Sequence, residues 1–135
     1  MADKNITVEI VTPEREVHSE PADFVVVPGV EGYLGILPMH APIVAGIDIG
    51  IIKVITGGKE QKFAVGGGFM EVNQDKVVLL ADSAERSDEV DVSRAKAAQE
   101  RAEQRLANRS DDDINVARAE LALRRAMSRL KVAGQ

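Results

Sequence analysis

At 135 residues the chain has room for one ordinary domain, or a small domain with an appendage. Apolar residues make up 44% and aromatic ones only 3%, with no Trp and no Cys, which excludes disulfides, thiolate metal sites and cysteine nucleophiles. The formal charge of −5 is unevenly divided, with 7 Lys/Arg against 15 Asp/Glu in residues 1–90 and 10 against 7 in residues 91–135, so the halves suit different partners.

The opening segment MADKNITVEIVTPE carries acids and no apolar core of signal-peptide length. From Ile6 to Asp82 the apolar residues come in short, β-branched runs: ITVEIV, ADFVVV, GIIKVI, KFAV, GFMEV and KVVLLA. Their length and composition predict strands. Thr12-Pro13-Glu14, Pro28-Gly29, Gly57-Gly58 and Asn73-Gln74-Asp75 predict the turns between them, with Gly57-Gly58 closing a hairpin. No helical repeat interrupts the region, so residues 1–87 are expected to form an antiparallel sandwich or barrel. Gly66-Gly67-Gly68 precedes strand-like FMEV and not a helix, which favours a bulge over a phosphate loop.

After Ser87 the period changes. Residues 91–108 and 113–131 consist of good helix formers with no internal Gly or Pro. Asp91 is the expected cap of the first helix and Asn108 its stop, while Ser110 and Asp111-Asp112-Asp113 are expected to start the second. The short link between them predicts an antiparallel helical hairpin over residues 88–135. Its expected apolar stripe is thin: Ala95, Ala98, Ala102 and Leu106 face Val116, Ala119, Leu123, Met127 and Leu130. A buried methylene contributes only about 0.8 kcal/mol, so such a hairpin should be easy for a competing partner to detach.

Catalytic chemistry finds no constellation. The two histidines, His18 and His40, lack a neighbouring ligand set, and Ser83, Ser87 and Ser93 lack a base with an orienting acid. No metal-binding residues are therefore assigned. The basic tail interleaves its acids and has no aromatics for base stacking, which argues against nucleic acid. No apolar stretch approaches the roughly 18 residues of a spanning helix, so membrane association is expected only through partners.

Residues 29–44, GVEGYLGILPMHAPIV, combine turn-permitting glycines with Pro38 and Pro42 around His40 and read as a stiff surface loop. This segment resembles the G-x-x-G-x-L-G-I-L-P-x-H-x-P pattern of the epsilon subunits of bacterial F-type ATP synthases. VEIVTPER, VGGGFMEV, KVVLLADSAER and RAELALRRAMSRL follow the same family pattern in order, over essentially the whole chain. The resemblance implies a sandwich of about ten strands seated on the gamma subunit and the c-subunit ring, at the cytoplasmic face of a bacterial cell membrane. It also implies a mobile tail that restrains ATP hydrolysis when it extends toward the alpha and beta catalytic subunits. Glu31, Tyr33 and His40 fall on the partner-facing loop, with Tyr33 where many members carry a carboxylate.

Some members bind ATP in the folded tail through a motif written [IL]-D-x-x-R-A. Val90-Asp91-Val92-Ser93-Arg94-Ala95 matches it except for Val90. By resemblance Glu85, Asp91, Arg94, Arg101, Arg125 and Arg129 would hold ATP as a regulatory ligand, with or without Mg²⁺. Planar guanidinium forks suit a phosphate chain, although exposed arginines on helices also commonly form plain solvated faces. No G-x-x-x-x-G-K-[ST] sequence occurs, so such a site would sense ATP and not transfer phosphate. A free-standing ATP-sensing binding protein is the alternative function.

Overall fold

The computed structural model describes residues 5–135, so residues 1–4 of the expected sandwich span lie outside it. Eight strands precede two helices: β1 (Ile6–Val11), β2 (Glu16–Ala22), β3 (Phe24–Gly29), β4 (Gly32–Ile36), β5 (Ile43–Thr56), β6 (Lys59–Asn73), β7 (Lys76–Ala81), β8 (Ala84–Arg86), α1 (Val92–Ala107) and α2 (Val116–Val132). The strands hydrogen-bond in the order β2-β1-β7-β6-β5-β3-β4, with β8 added to β6. One buried cluster draws side chains from all eight strands, including Ile10 of β1, Val17 of β2, Ile36 of β4 and Ala84 of β8. Strands from opposite ends of one sheet can share a core only if the sheet folds back on itself as a sandwich.

The expected sandwich is therefore present, with two differences in detail. Among the described residues there are eight strands and not about ten, because β5 and β6 run unbroken for 14 and 15 residues. Their glycines let them bend where two shorter strands were expected. Gly67 and Gly68 take φ of 97° and 146°, and a Cβ on Gly68 would stand 2.0 Å from the Leu80 carbonyl oxygen. The second difference is that β1 and β7 pair in parallel, Val8 beside Val77 and Ile10 beside Leu79, while the other pairs are antiparallel.

The turns follow local chemistry. Gly57-Gly58 closes β5 onto β6 with positive φ at both residues, as Gln74-Asp75 does between β6 and β7. The segment read as a loop is partly strand: Gly32–Ile36 pairs with Val25–Gly29 around a turn at Val30-Glu31, so Pro28-Gly29 lies in β3 and not in a turn. Along β1 the burial alternates, with Ile6, Val8 and Ile10 inward. Ala64 of β6 and Ile51 of β5 are also buried, on the face covered by Val132 of α2.

Asp91 caps α1, its carboxylate accepting the Arg94 amide at 3.0 Å, and Asn108 ends it. α2 begins later than expected. Asn115, not Ser110, is its cap and accepts the Arg118 amide at 3.0 Å. The three aspartates lie in the connecting turn, where Asp111 accepts the Asp113 amide at 2.9 Å. The helices pack on each other, and α2 lies on β5 and β6. Ala95, Ala102, Ala119 and Leu130 are buried as the stripe predicts, and Ala98, Leu106, Val116 and Leu123 are half-buried. Met127 points outward at 52% exposure, and Ala126 and Val132 are buried instead. The reason is that α2 faces two surfaces at once, helix and sheet, and a single stripe describes only one.

Candidate functional site

β8, the 3-10 turn Ser87–Glu89 that follows it, and the start of α1 form one wall of a cavity of about 410 Å³, and α2 closes it with Arg129. That volume lies within the usual range for small-molecule sites, about 300–1,000 Å³. Glu85 enters from β8, held in register opposite Ala64. Asp91 enters as the helix cap, which fixes its carboxylate beside the first turn of α1. Arg94 and Arg101 follow at a spacing of two turns, so both project from one face.

The charges are balanced but unequally committed. Arg129 Nε donates to Glu85 Oε1 at 2.6 Å, across the seam between hairpin and sandwich. Both side chains are only partly exposed. Glu89 pairs with Arg15 from the β1–β2 turn, and its Oε1 accepts the Arg86 amide at 3.0 Å. Among the described residues, the guanidinium groups of Arg94 and Arg101 make no ion pair or side-chain hydrogen bond. The cavity thus presents two uncommitted cations beside a third held by Glu85.

Of the residues singled out by sequence, Glu85, Asp91, Arg94, Ala95, Arg101 and Arg129 come together around this cavity. Val90 and Arg125 do not line it. Val90 is half-buried in the link between the 3-10 turn and α1, and Arg125 is half-buried on α2. Glu89 lines the cavity and was missed. Its signal was local: it stands three residues after Arg86, and its carboxylate reaches back to accept the Arg86 amide.

The residues expected to face a partner lie elsewhere. Glu31 occupies the β3–β4 turn, and His40 Nδ1 lies 2.6 Å from the Ala41 carbonyl oxygen. Tyr33, 74% exposed on β4, borders a separate groove that it shares with Lys96 of α1 and Met127 of α2. His18 is buried and packs edge-on against Phe63, with ring centroids 5.1 Å apart. Burial pushes its imidazole below the usual value of 6.5, helped by Arg86 and opposed by Glu20. Among the described residues, no group of three or more His, Cys, Asp or Glu side chains is arranged to hold a metal ion.

The model for the beta-sandwich domain of the ATP synthase delta/epsilon chain matches residues 5–87, and that for its long alpha-helix domain matches residues 88–134. The chain belongs to the ATP synthase delta/epsilon chain family. It is 57% identical over 135 residues to an ATP synthase epsilon chain of Pelotomaculum thermopropionicum, covering 100% of both chains. With an epsilon chain of Carboxydothermus hydrogenoformans it shares 58% identity over 110 residues, 82% of this chain and 81% of that one. Among solved structures it resembles a chain of the Euglena gracilis mitochondrial ATP synthase, OSCP/F1/c-ring, with a TM-score of 0.80 and 25% identity over 97% of this chain and 82% of that one. As an epsilon-type member of the family it is a non-catalytic stalk subunit of the F-type ATP synthase.

Proposed function

We propose that the helical hairpin is an ATP-gated regulatory element: ATP held in the cavity between β8, α1 and α2 keeps the hairpin folded, and without it the helices extend and restrain hydrolysis in the catalytic head. The observation that carries this is the pair of uncommitted guanidinium groups, Arg94 and Arg101, facing the same cavity as Arg129. A phosphate chain supplies the anionic oxygens that these planar donors lack. Asp91 and Glu85 are acceptors for an adenine amino group or ribose hydroxyls. A bound Mg²⁺ would ride on the phosphates, since no metal-holding group is present among the described residues. A ligand that binds only the folded hairpin stabilises it by mass action, so ATP opposes the inhibitory form.

The sandwich is then the fixed seat of the switch. Phe69 and Leu80 stand directly opposite each other on β6 and β7, both exposed, with Val44 exposed on neighbouring β5. An exposed apolar patch of this kind suits a protein partner, which we assign as the gamma subunit, with the c-subunit ring beyond the Glu31–His40 loop. No helix among the described residues is long and apolar enough to cross a membrane. We assign it a peripheral position at the cytoplasmic face, held through the complex. Calorimetric titration of the full chain with ATP tests the clasp. Binding is expected, and Arg94→Ala should weaken it about tenfold or more, the loss of one charge-assisted hydrogen bond. No heat at millimolar ATP would overturn the reading.

A further inference from the structure

Among the described residues two ion pairs fasten α2 to the sandwich, and they differ in where they stand. Arg129 with Glu85 lies inside the nucleotide cavity. Arg124 with Asp48 lies outside it, and neither residue lines its wall. The acceptor for Arg124 is built by the bend of the sheet. Pairing between β5 and β6 runs Ile47 to Gly68 and Ile49 to Gly66 and skips Asp48, opposite the positive φ of Gly67. One oxygen of Asp48 accepts the Ile49 amide at 2.8 Å, which fixes the carboxylate. The other lies 2.8 Å from a terminal nitrogen of Arg124, and that nitrogen also donates to the Ile49 carbonyl at 3.2 Å. The Arg124 hydrogen bond holds the Asp48 carboxyl below its ordinary range against the opposing effect of desolvation, with lesser help from the Ile49 amide and the cationic charge. A carboxylate and a carbonyl oxygen therefore converge on one guanidinium from the helix above.

We propose that Arg124 and Asp48 form a ligand-independent latch that sets how often the hairpin leaves the sandwich when no nucleotide is bound. The latch rests on the folded-to-extended equilibrium of the regulatory reading, and it adds a control that the cavity does not contain. The pair is partly solvated, with side chains 46% and 40% exposed. Exposed pairs of this kind shift an equilibrium by about two- to fivefold, not by orders of magnitude. Such a latch trims the resting population and leaves the ligand to move it further. It also imposes a linkage: apparent ATP affinity falls in proportion to the folded fraction, even though Arg124 touches no ligand.

Amide hydrogen exchange on the full chain reads this directly, because it reports rare openings as well as common ones. Asp48→Asn and Arg124→Gln are each expected to lower the protection of α1 and α2 amides by about two- to fivefold, with the β1, β3 and β7 amides unchanged. The double variant should match the single ones, since the second change removes nothing that the first left in place. Unchanged helix protection would overturn the latch, as would single effects that multiply in the double variant. In an ATP titration Arg124→Gln should weaken binding by no more than the change in exchange. If it abolished binding while protection held, Arg124 would be a ligand contact and the latch would be wrong. If the unaltered chain bound no ATP, the clasp would fail, and the exchange result would still decide the latch.

Discussion

Leu130 is the largest apolar side chain that the hairpin buries, and its truncation tests whether the helices are a separable unit. It is 8% exposed, and of the other buried hairpin residues all but Val132 are alanines. Leu130→Ala removes three carbons, worth roughly 2.4 kcal/mol at about 0.8 kcal/mol each. No further cavity penalty is added, because Leu130 borders the open groove beside Tyr33 and water can enter the space. At about 1.4 kcal/mol per decade, that is roughly a 50-fold shift toward an unpacked hairpin. Exchange protection of α1 and α2 should fall by that factor, while the sandwich, whose core cluster contains no helical residue, keeps its own. Apparent ATP affinity should fall by less, and approaches the full factor only once the detached form becomes the majority. A loss of protection spread equally over strands and helices would refute a separable hairpin. A fall of less than about threefold in the helices would refute the claim that their packing rests on this side chain.

His18 makes the sandwich sensitive to acid. Its buried imidazole is disfavoured in the charged form, and its Nε2 has no partner among the described residues. The unfolded chain therefore binds more protons below its ordinary value of 6.5, and stability falls as pH drops through that value. Urea midpoints of the intact chain should decline with acidification, and His18→Gln should flatten the slope; parallel slopes would refute the assignment. Deleting residues 88–135 should leave a sandwich that still assembles into the synthase, because its core is self-contained, and should raise ATP hydrolysis by the complex. Failure to assemble, or unchanged hydrolysis under inhibiting conditions, would remove the tail's regulatory role.

The strands were readable where burial is one-sided, as in β1, whose Ile6, Val8 and Ile10 alternate with polar neighbours. β4 was not, because Gly32 and Gly35 leave it little side-chain pattern and resemble a loop. The parallel partnership of β1 with β7 could not be read either, since register between strands 69 residues apart, as for Val8 and Val77, has no local signature. The cavity's residues were named through the family resemblance and not through spacing, and most of them fall within one short stretch and one face of α1, from Glu85 to Arg101. Arg124 was invisible. Adjacent to Arg125 and alike in type, it is distinguished only by Asp48, which the sheet bend brings to it. Met127 illustrates the limit of a single helical stripe, since the choice between Ala126 and Met127 as the inward residue depends on where the sheet lies.

The two fastenings of α2 explain how one ligand could act as a clasp without adding much contact. With Glu85 on Arg129, the seam is paired before any ligand enters, so the folded hairpin is accessible without nucleotide but is not locked by it. A polyphosphate entering beside Arg94 and Arg101 must compete with Glu85 for Arg129. It gains three guanidinium groups only while α2 remains in place, because Arg129 is on α2 and the other two are on α1. Detachment of α2 would break that ligand set, so the ligand's affinity becomes a cost of extension. Alanine packing keeps that cost decisive. Had the seam been filled with large apolar side chains, each worth about 1.5–3 kcal/mol, the hairpin would stay down whether or not the nucleotide was bound. With Leu130 and Val132 as the only large buried anchors, the polar contacts are of the same order as the apolar ones, and the occupancy of the cavity can set the state of the tail.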